Sequence, residues 1–122
     1  MTVACNNNMR IKIVRSPLSK GELEAFLGNP FSDMIKFVVD IRRALLALGG
    51  ELHSDAEATL LQDGSLQNDL WGGNYYPNLA QERRIDLISL INIRPSSGNP
   101  SLMIENSEIK EAVLKIVKDL IG

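Results

Sequence analysis

The sequence has one cysteine, no long apolar run and no excess of basic residues. Because Cys5 is alone, the chain can form neither an intrachain disulfide nor a metal site built from several cysteines. No apolar run approaches the roughly 20 residues that span a bilayer, and the N-terminus lacks the apolar segment of a signal peptide. We therefore expect a cytoplasmic protein with no membrane contact.

Aromatic residues are scarce and the charges are nearly balanced. Aromatics make up 5% of the 122 residues, and 13 Lys and Arg face 15 Asp and Glu, for a net charge of −2. Nucleic-acid-binding chains normally carry a basic surface, so we do not expect nucleic acid as a partner. The length fits a single domain, which we predict at residues 9–122 after a disordered polar tail at residues 1–8.

The first half of the sequence predicts one strand and two helices. Residues 10–15 are short and β-branched, a pattern typical of a strand. Ser19 and Glu22 have the spacing of a capping box, so a short helix should begin there and end at Gly28. Over residues 30–48 apolar side chains recur at helical spacing and predict a second helix. These apolar residues are Met34, Phe37, Val38, Ile41, Leu45 and Leu48.

The second half predicts three strands and a final helix. From residue 51 to residue 60, polar and apolar residues alternate with the period of a strand. Asp63-Gly64 indicates a tight hairpin turn, which returns the chain into a strand over residues 68–76. Residues 84–94 read as a last strand that is apolar on both faces. The final helix should be capped near Asn106 or Ser107.

The predicted order of elements is β-α-α-β-β-β-α. Strands that are joined by tight turns favour an α+β fold, with a mainly antiparallel sheet of about four strands and three helices. A last strand with two apolar faces should lie in the middle of the sheet and be covered on both sides. Since the helices are too few for both faces, we expect a second subunit on one of them, most simply in a homodimer.

The most suggestive polar group is His53, Asp55 and Glu57. In the predicted strand, residues two apart point to the same face at intervals of about 7 Å. An imidazole with two carboxylates could hold a divalent metal, the one cofactor we consider, or act as a catalytic base with its orienting acids. The alternative is the polar outer face of a half-buried strand, which shows the same alternation.

A second group follows the predicted turn. Asp69 or Asn74 could reach the face of His53, depending on the register of the two strands. Trp71 is either an anchor in a core or interface, or a platform for stacking. Two glycines after it indicate a bulge or a close approach to the backbone.

A third group occupies the loop after the last strand: Asn92, Arg94, Ser97 and Asn99. Hydroxyls, backbone N–H groups and a bidentate guanidinium suit a phosphate or carboxylate, so these residues are candidate ligand-binding residues. The alternative is an ordinary crossover loop in which Arg94 bridges to an acid such as Glu57.

Five segments carry a family resemblance: Gly50–Glu57, Asp63-Gly64-Ser65, Asp69–Gly72, Asn74 and Asn92–Pro95. Together they resemble a small prokaryotic family that is labelled only as a domain of unknown function. The likeness extends over nearly all of residues 9–122, and the chain departs from it in its N-terminal extension and at Gly73. The resemblance implies a compact prokaryotic cytoplasmic protein, and it implies no activity or residue role.

Two hypotheses follow for the function. The first is a homodimer with a polar pocket that binds a small anionic ligand or a divalent metal, and that is hydrolase-like if it is catalytic. The second is a non-catalytic module for protein interaction or regulation, of an antitoxin-like kind. In the first, His53, Asp55 and Glu57 converge with Arg94; in the second, they spread into solvent beside an apolar patch.

Overall fold

The computed structural model describes residues 10–122, so the predicted tail and its Cys5 lie outside the described part of the chain. This part is an α+β fold with five antiparallel strands in the order β1-β3-β2-β4-β5. The strands are β1 (Ile11–Val14), β2 (Ile35–Asp40), β3 (Leu45–Gly49), β4 (Leu70–Tyr75) and β5 (Ile85–Asp86). The helices are α1 (Lys20–Glu24), α2 (His53–Gln62) and α3 (Ser107–Leu120). None of these helices is long and apolar enough to cross a membrane.

The chain covers both faces of its own sheet. On one face α1 and α3 bury a core that includes Phe37 and Val117. On the other face α2 packs Ala56 and Leu60 against Val38 and its neighbours. Burial of one such large apolar side chain stabilises the fold by about 1.5–3 kcal/mol, so the sheet is held from both sides.

Several local predictions are confirmed. The first strand lies within residues 10–15, and β4 lies within residues 68–76. The capping box is present: Ser19 Oγ accepts a hydrogen bond from the Glu22 N–H, and the Glu22 carboxylate accepts one from the Ser19 N–H. Asn106 caps α3 by accepting a hydrogen bond from the Ile109 N–H at 3.0 Å.

The helix predicted over residues 30–48 is wrong, because these residues form β2, a tight turn and β3. Strands in the middle of a sheet that is covered on both faces are apolar on both faces, and a continuous apolar run fits either period. The turn is held by Asp40, whose carboxylate accepts hydrogen bonds at 2.9 Å from the backbone N–H groups of Arg42 and Arg43.

The strand predicted over residues 51–60 is also wrong, because residues 53–62 form α2. Its buried residues His53, Ala56 and Leu60 lie on one helical face, three and four positions apart. Asp63-Gly64 ends this helix instead of turning a hairpin. Gly64 has a φ of 105°, in the left-handed region that glycine commonly adopts after a helix.

The strand predicted over residues 84–94 is much shorter than expected. Of residues 84–94, only Ile85 and Asp86 pair with β4, and a loop with short 3-10 turns follows. Leu90 is 77% exposed, so the apolar run is not a central strand. The observed order is β-α-β-β-α-β-β-α. The reasoning that led to a homodimer no longer holds, since α2 covers the second face, and the homodimer itself stays a prediction.

Candidate functional site

The loop after β5 closes the outer edge of β4 with side chains. Asn92 takes the place of a neighbouring strand: its Oδ1 accepts from the Gly72 N–H at 2.9 Å, and its Nδ2 donates to the Gly72 carbonyl at 3.0 Å. Nδ2 also donates to the Leu102 carbonyl at 3.1 Å, and the side chain is fully buried. The carboxamide predicted to bind a ligand is therefore occupied by backbone groups.

Arg94 fastens the same loop to β4. Its guanidinium donates hydrogen bonds to the carbonyls of Leu70 and Ile91 and stacks on the Trp71 ring, 4.4 Å from the centroid. Burial lowers the pKa of Arg94, and the Glu57 carboxylate opposes this shift. Trp71 is itself buried in the core of the α3 face, as one interpretation of the sequence predicted.

Asn99 and Ser97 also belong to this loop. Asn99 is buried, and its Nδ2 donates to the carbonyls of Asn92 at 2.7 Å and Met103 at 2.9 Å. Its Oδ1 accepts from the Glu105 N–H at 2.8 Å. Ser97 is exposed in a tight turn. The third predicted group therefore supports the loop through Asn92, Arg94 and Asn99.

The Asp63-Gly64-Ser65 segment belongs to an ion-pair network. Arg43 donates to Asp40 at 3.0 Å and to Asp63 at 2.9 Å, and Ser65 Oγ donates to Asp40 at 2.6 Å. Burial opposes ionisation of Asp40, but the hydrogen bonds from Ser65 and Arg43 outweigh it and lower the pKa of Asp40. This network joins the turn between β2 and β3 to the end of α2.

His53 is the first residue of α2 and is only 9% exposed. Its Nε2 lies 2.7 Å from the Gly73 carbonyl oxygen, which can only accept, so Nε2 carries a proton. Burial lowers the pKa of His53 and Lys36 lowers it further, against the opposing effect of the Gly73 carbonyl. The ring is therefore neutral at pH 7. With Nε2 protonated, Nδ1 of the neutral ring carries a lone pair and can accept a hydrogen bond.

Asn74 lies beside this histidine. Its Nδ2 donates to Asp86 Oδ1 at 2.7 Å and to the Ile88 carbonyl at 3.2 Å. Because both partners are acceptors, the amide nitrogen must face them and Oδ1 must face away. That oxygen is buried without a hydrogen-bond partner among the described residues, which makes Asn74 an incompletely satisfied polar group.

Two glycines of β4 allow neighbouring groups to approach the sheet closely. A Cβ at Gly72 would lie 2.9 Å from Ser89 Oγ and 3.2 Å from His53 Cδ2. On the other face, a Cβ at Gly73 would lie 2.5 Å from Phe37 Cζ. The pairing of β2 with β4 is continuous through both glycines, so close approach and not a bulge explains them.

His53 and Asn74 line a cleft of about 470 Å³ between α2, β4 and the loop after β5. Its polar lining consists of Lys36, His53, Ser54, Asn74 and Ser89. Its apolar lining consists of Leu52, Ile88, Leu90, Ile91 and Leu102. Four of these are between 40% and 77% exposed, and we call them the apolar rim: Leu52, Ile88, Leu90 and Leu102.

Two positive features meet in the cleft. The N-terminus of α2 opens into it, and no side chain of the described residues caps that end of the helix. Its free N–H groups and the helix dipole favour an anion there. Lys36 adds a cationic side chain, whose pKa is lowered by burial and raised by Asp86. The cleft is therefore suited to a ligand with negative charge.

Acid–base chemistry is possible in this geometry, whereas a serine relay is not supported. Ser89 Oγ and His53 Cδ2 flank the same point beside Gly72, and no hydrogen bond joins Ser89 to His53 in residues 10–122. The neutral histidine can take a proton from a ligand or from water in the cleft, whereas a serine relay would need a hydrogen bond from Ser89 Oγ to the ring.

The other predicted residues lie elsewhere. In a helix, His53, Asp55 and Glu57 no longer point in one direction, and the two carboxylates are outside the cleft lining. Asp69 is paired with Arg42, with 2.9 Å between Oδ2 and Nε. Within residues 10–122, no group of three His, Cys, Asp or Glu side chains is arranged to hold a metal ion. Of the predicted site residues, the structure brings together His53 and Asn74.

Sequence reasoning missed Lys36, Ser54 and Ser89. Lys36 falls within the helix predicted over residues 30–48, whereas it belongs to β2 opposite Asn74 of β4. Ser89 lies in the loop that was taken for a strand. The alternation of Lys36 with Ile35 and Phe37 was the available signal, since it places Lys36 on the sheet face opposite the larger core.

Two other clefts of similar size border α3. One, of about 440 Å³, includes Lys118 beside Asp119, and the other, of about 490 Å³, includes Lys110 and Glu82. Their charges are of both signs, and neither contains the histidine. The His53 cleft is therefore the best candidate for a functional site.

The fold and cleft define a class: an α+β protein with an antiparallel sheet covered on both faces and a histidine at the open end of a helix. A family model described as "Protein of unknown function (DUF5674)" matches residues 12–120. The chain belongs to this family, in agreement with the resemblance seen in the sequence. Comparison with curated proteins and with solved structures finds no match.

Proposed function

We propose that the His53 cleft binds a small anionic molecule. The observation that carries this proposal is the N-terminus of α2, which has no side-chain cap among the described residues and opens into the cleft beside Lys36. The buried Asn74 lines the same cleft, and its Oδ1 has no hydrogen-bond partner among the described residues. An anion at a helix N-terminus is typically stabilised by about 0.3–1 kcal/mol, and by more in partly buried geometry. Lys36 adds to this attraction, and Asp86 reduces it.

The reaction class to assay is hydrolysis with His53 as general base. A lowered pKa leaves Nδ1 unprotonated at neutral pH, so it is the ring atom that would accept a proton from water or from the ligand. The metal-dependent form of the hypothesis has no support from the described side chains, so the proposal is limited to the anion.

The first experiment is a thermal-unfolding screen against carboxylates and inorganic phosphate. A ligand at about 100 times its Kd stabilises the native state by roughly 2.7 kcal/mol, which raises the midpoint by several degrees. We expect this rise to disappear in Lys36→Met and to shrink in His53→Gln, which can still donate to the Gly73 carbonyl. Lys12→Met is the control, because Lys12 is exposed on β1. An unchanged midpoint with every compound would reject the proposal.

The apolar rim favours a second candidate function, protein interaction. Exposed apolar side chains that are grouped around one cleft are typical of interaction sites, and the simplest partner is a second copy of the chain. If the rim forms the predicted homodimer, Leu90→Asp should convert it to a monomer without loss of folding, since Leu90 is 77% exposed. Leu79→Asp is the matched control, at 38% exposure outside the rim. Sedimentation equilibrium measures the result, and a monomer in the parent protein excludes the homodimer.

A further inference from the structure

The charge of the cleft suits a single negative charge. Lys36 is the one cationic side chain among the described residues that line it, and Asp86 lies close enough to Lys36 to reduce its field. Sites for phosphate groups commonly combine several cationic side chains or the fork of an arginine. One lysine and one helix N-terminus match a carboxylate better than a phosphate dianion.

The wall of the cleft suits an apolar body. Half of its lining residues are leucine or isoleucine, and the volume of about 470 Å³ lies in the usual range for small-molecule sites. Each methylene group that this wall buries should raise the affinity about fourfold. A ligand that is charged throughout would leave this apolar surface unused.

The remaining feature is an acceptor that lacks a donor. Nε2 of His53 is engaged with the Gly73 carbonyl, so Nδ1 of the neutral ring can only accept a hydrogen bond. The buried Oδ1 of Asn74 in the same cleft is an acceptor without a partner among the described residues. The first free N–H groups of α2 belong to His53 and its neighbour Ser54. The acceptor and the anion-binding amides are therefore adjacent, and the ligand should carry its donor next to its carboxylate.

We infer that the ligand of the His53 cleft is an apolar carboxylic acid with a hydrogen-bond donor on the carbon beside the carboxylate, that is, an apolar 2-hydroxy or 2-amino acid. The carboxylate lies against the N-terminus of α2 and Lys36. The hydroxyl or ammonium donates to His53 Nδ1, and the hydrocarbon part packs against the apolar rim. This inference rests on the proposed function and specifies its ligand class.

The test compares five probes by calorimetry and by NMR of the single histidine. The probes are 2-hydroxy-4-methylpentanoate, leucine, 4-methylpentanoate, lactate and inorganic phosphate. We expect 2-hydroxy-4-methylpentanoate or leucine to bind at least about tenfold more tightly than 4-methylpentanoate, which lacks the donor, and than lactate, which lacks the apolar body. The better of the two identifies the donor as hydroxyl or ammonium.

Variants of the lining residues test which contact causes each binding preference among the probes. His53→Gln should bring the affinities of 2-hydroxy-4-methylpentanoate and 4-methylpentanoate close together, and Lys36→Met should weaken both. Leu90→Ser should reduce the preference over lactate, whereas Leu79→Ser, outside the rim, should leave it unchanged.

The outcomes separate the inference from the proposed function. The inference would be overturned if 4-methylpentanoate bound as tightly as 2-hydroxy-4-methylpentanoate and leucine, or if lactate or phosphate bound more tightly than they do. In either case the proposed function would stand if Lys36→Met abolished the binding. Binding that is indifferent to Lys36→Met, or no binding of any probe, would overturn both.

Discussion

At the scale of single residues, Gly72 controls how closely α2 and the following loop approach the sheet. We predict that Gly72→Ala lowers the free energy of unfolding by about 1–3 kcal/mol, because the added methyl group would meet Ser89 Oγ at 2.9 Å and His53 Cδ2 at 3.2 Å. Urea denaturation measures the change. The control is Gly21→Ala in α1, where a Cβ has nothing within 4 Å and should be neutral or slightly stabilising. Equal midpoints for the two variants would contradict the close packing.

The chain has a single histidine, so the pKa of His53 can be measured directly and reports on the surroundings of the ring. We predict that an NMR titration gives His53 a pKa below the ordinary value of about 6.5, because burial and the nearby Lys36 disfavour the charged ring more than the Gly73 carbonyl, Asp86 and Asn74 favour it. Between the folded and unfolded pKa values the unfolded chain binds more protons, so stability falls as the pH falls through this window. A pKa at or above 6.5 would mean that the ring is not desolvated as described.

At the scale of elements, the Asp40 network is the connection between the β2–β3 turn and the end of α2. The pKa of Asp40 is lowered in the folded protein, so its contribution to stability is present above the unfolded value of about 3.9 and is lost as the pH falls through the folded value. We predict that Asp40→Asn is destabilising at pH 7, and that its difference from the parent protein shrinks below about pH 4. Unfolding at several pH values tests this. Asp33→Asn, at an exposed position, should show no such dependence.

Elements with local signals could be predicted from the sequence, and elements in the middle of the sheet could not. Ser19 and Asn106 are N-cap residues whose side chains bond to a backbone N–H three residues later. Because this spacing is short, the start of each helix can be recognised in the sequence. Residues 35–49 carry no such signal, because both faces of β2 and β3 are buried and the hydrophobic period is lost. Residues 53–62 were misread because alternation and a helical face share several of the same positions.

The candidate site was only partly predictable for the same reason. His53 and Asn74 are both among the predicted site residues, and they line one cleft. Asn92 has the same side-chain chemistry as Asn74, yet its hydrogen bonds all go to the backbone. The sequence cannot distinguish Asn74 from Asn92. Their roles differ because the fold leaves different backbone carbonyl and N–H groups unpaired near each side chain.

At the scale of the whole molecule, two cores share one sheet, so they should unfold together. Trp71 is the single tryptophan and is buried on the α3 face, while His53 is the single histidine and lies on the α2 face. We predict that Leu60→Ala, on the α2 face, lowers stability by about 2–5 kcal/mol and shifts the transition equally by Trp71 fluorescence and by His53 NMR. Separate midpoints for the two probes would show that the faces unfold independently.

The Asn92 carboxamide at the edge of β4 has a consequence for the behaviour of concentrated protein. A sheet edge with free N–H and C=O groups is a template on which a strand of another molecule can add, and this is how many folded proteins begin to aggregate. At Gly72 both groups are already bonded to Asn92, and at Leu70 the carbonyl is bonded to Arg94. Because β5 pairs only with Asn74 and Tyr75, these two side chains occupy the backbone groups of Leu70 and Gly72 that an added strand would need. We therefore expect this part of β4 to resist strand addition.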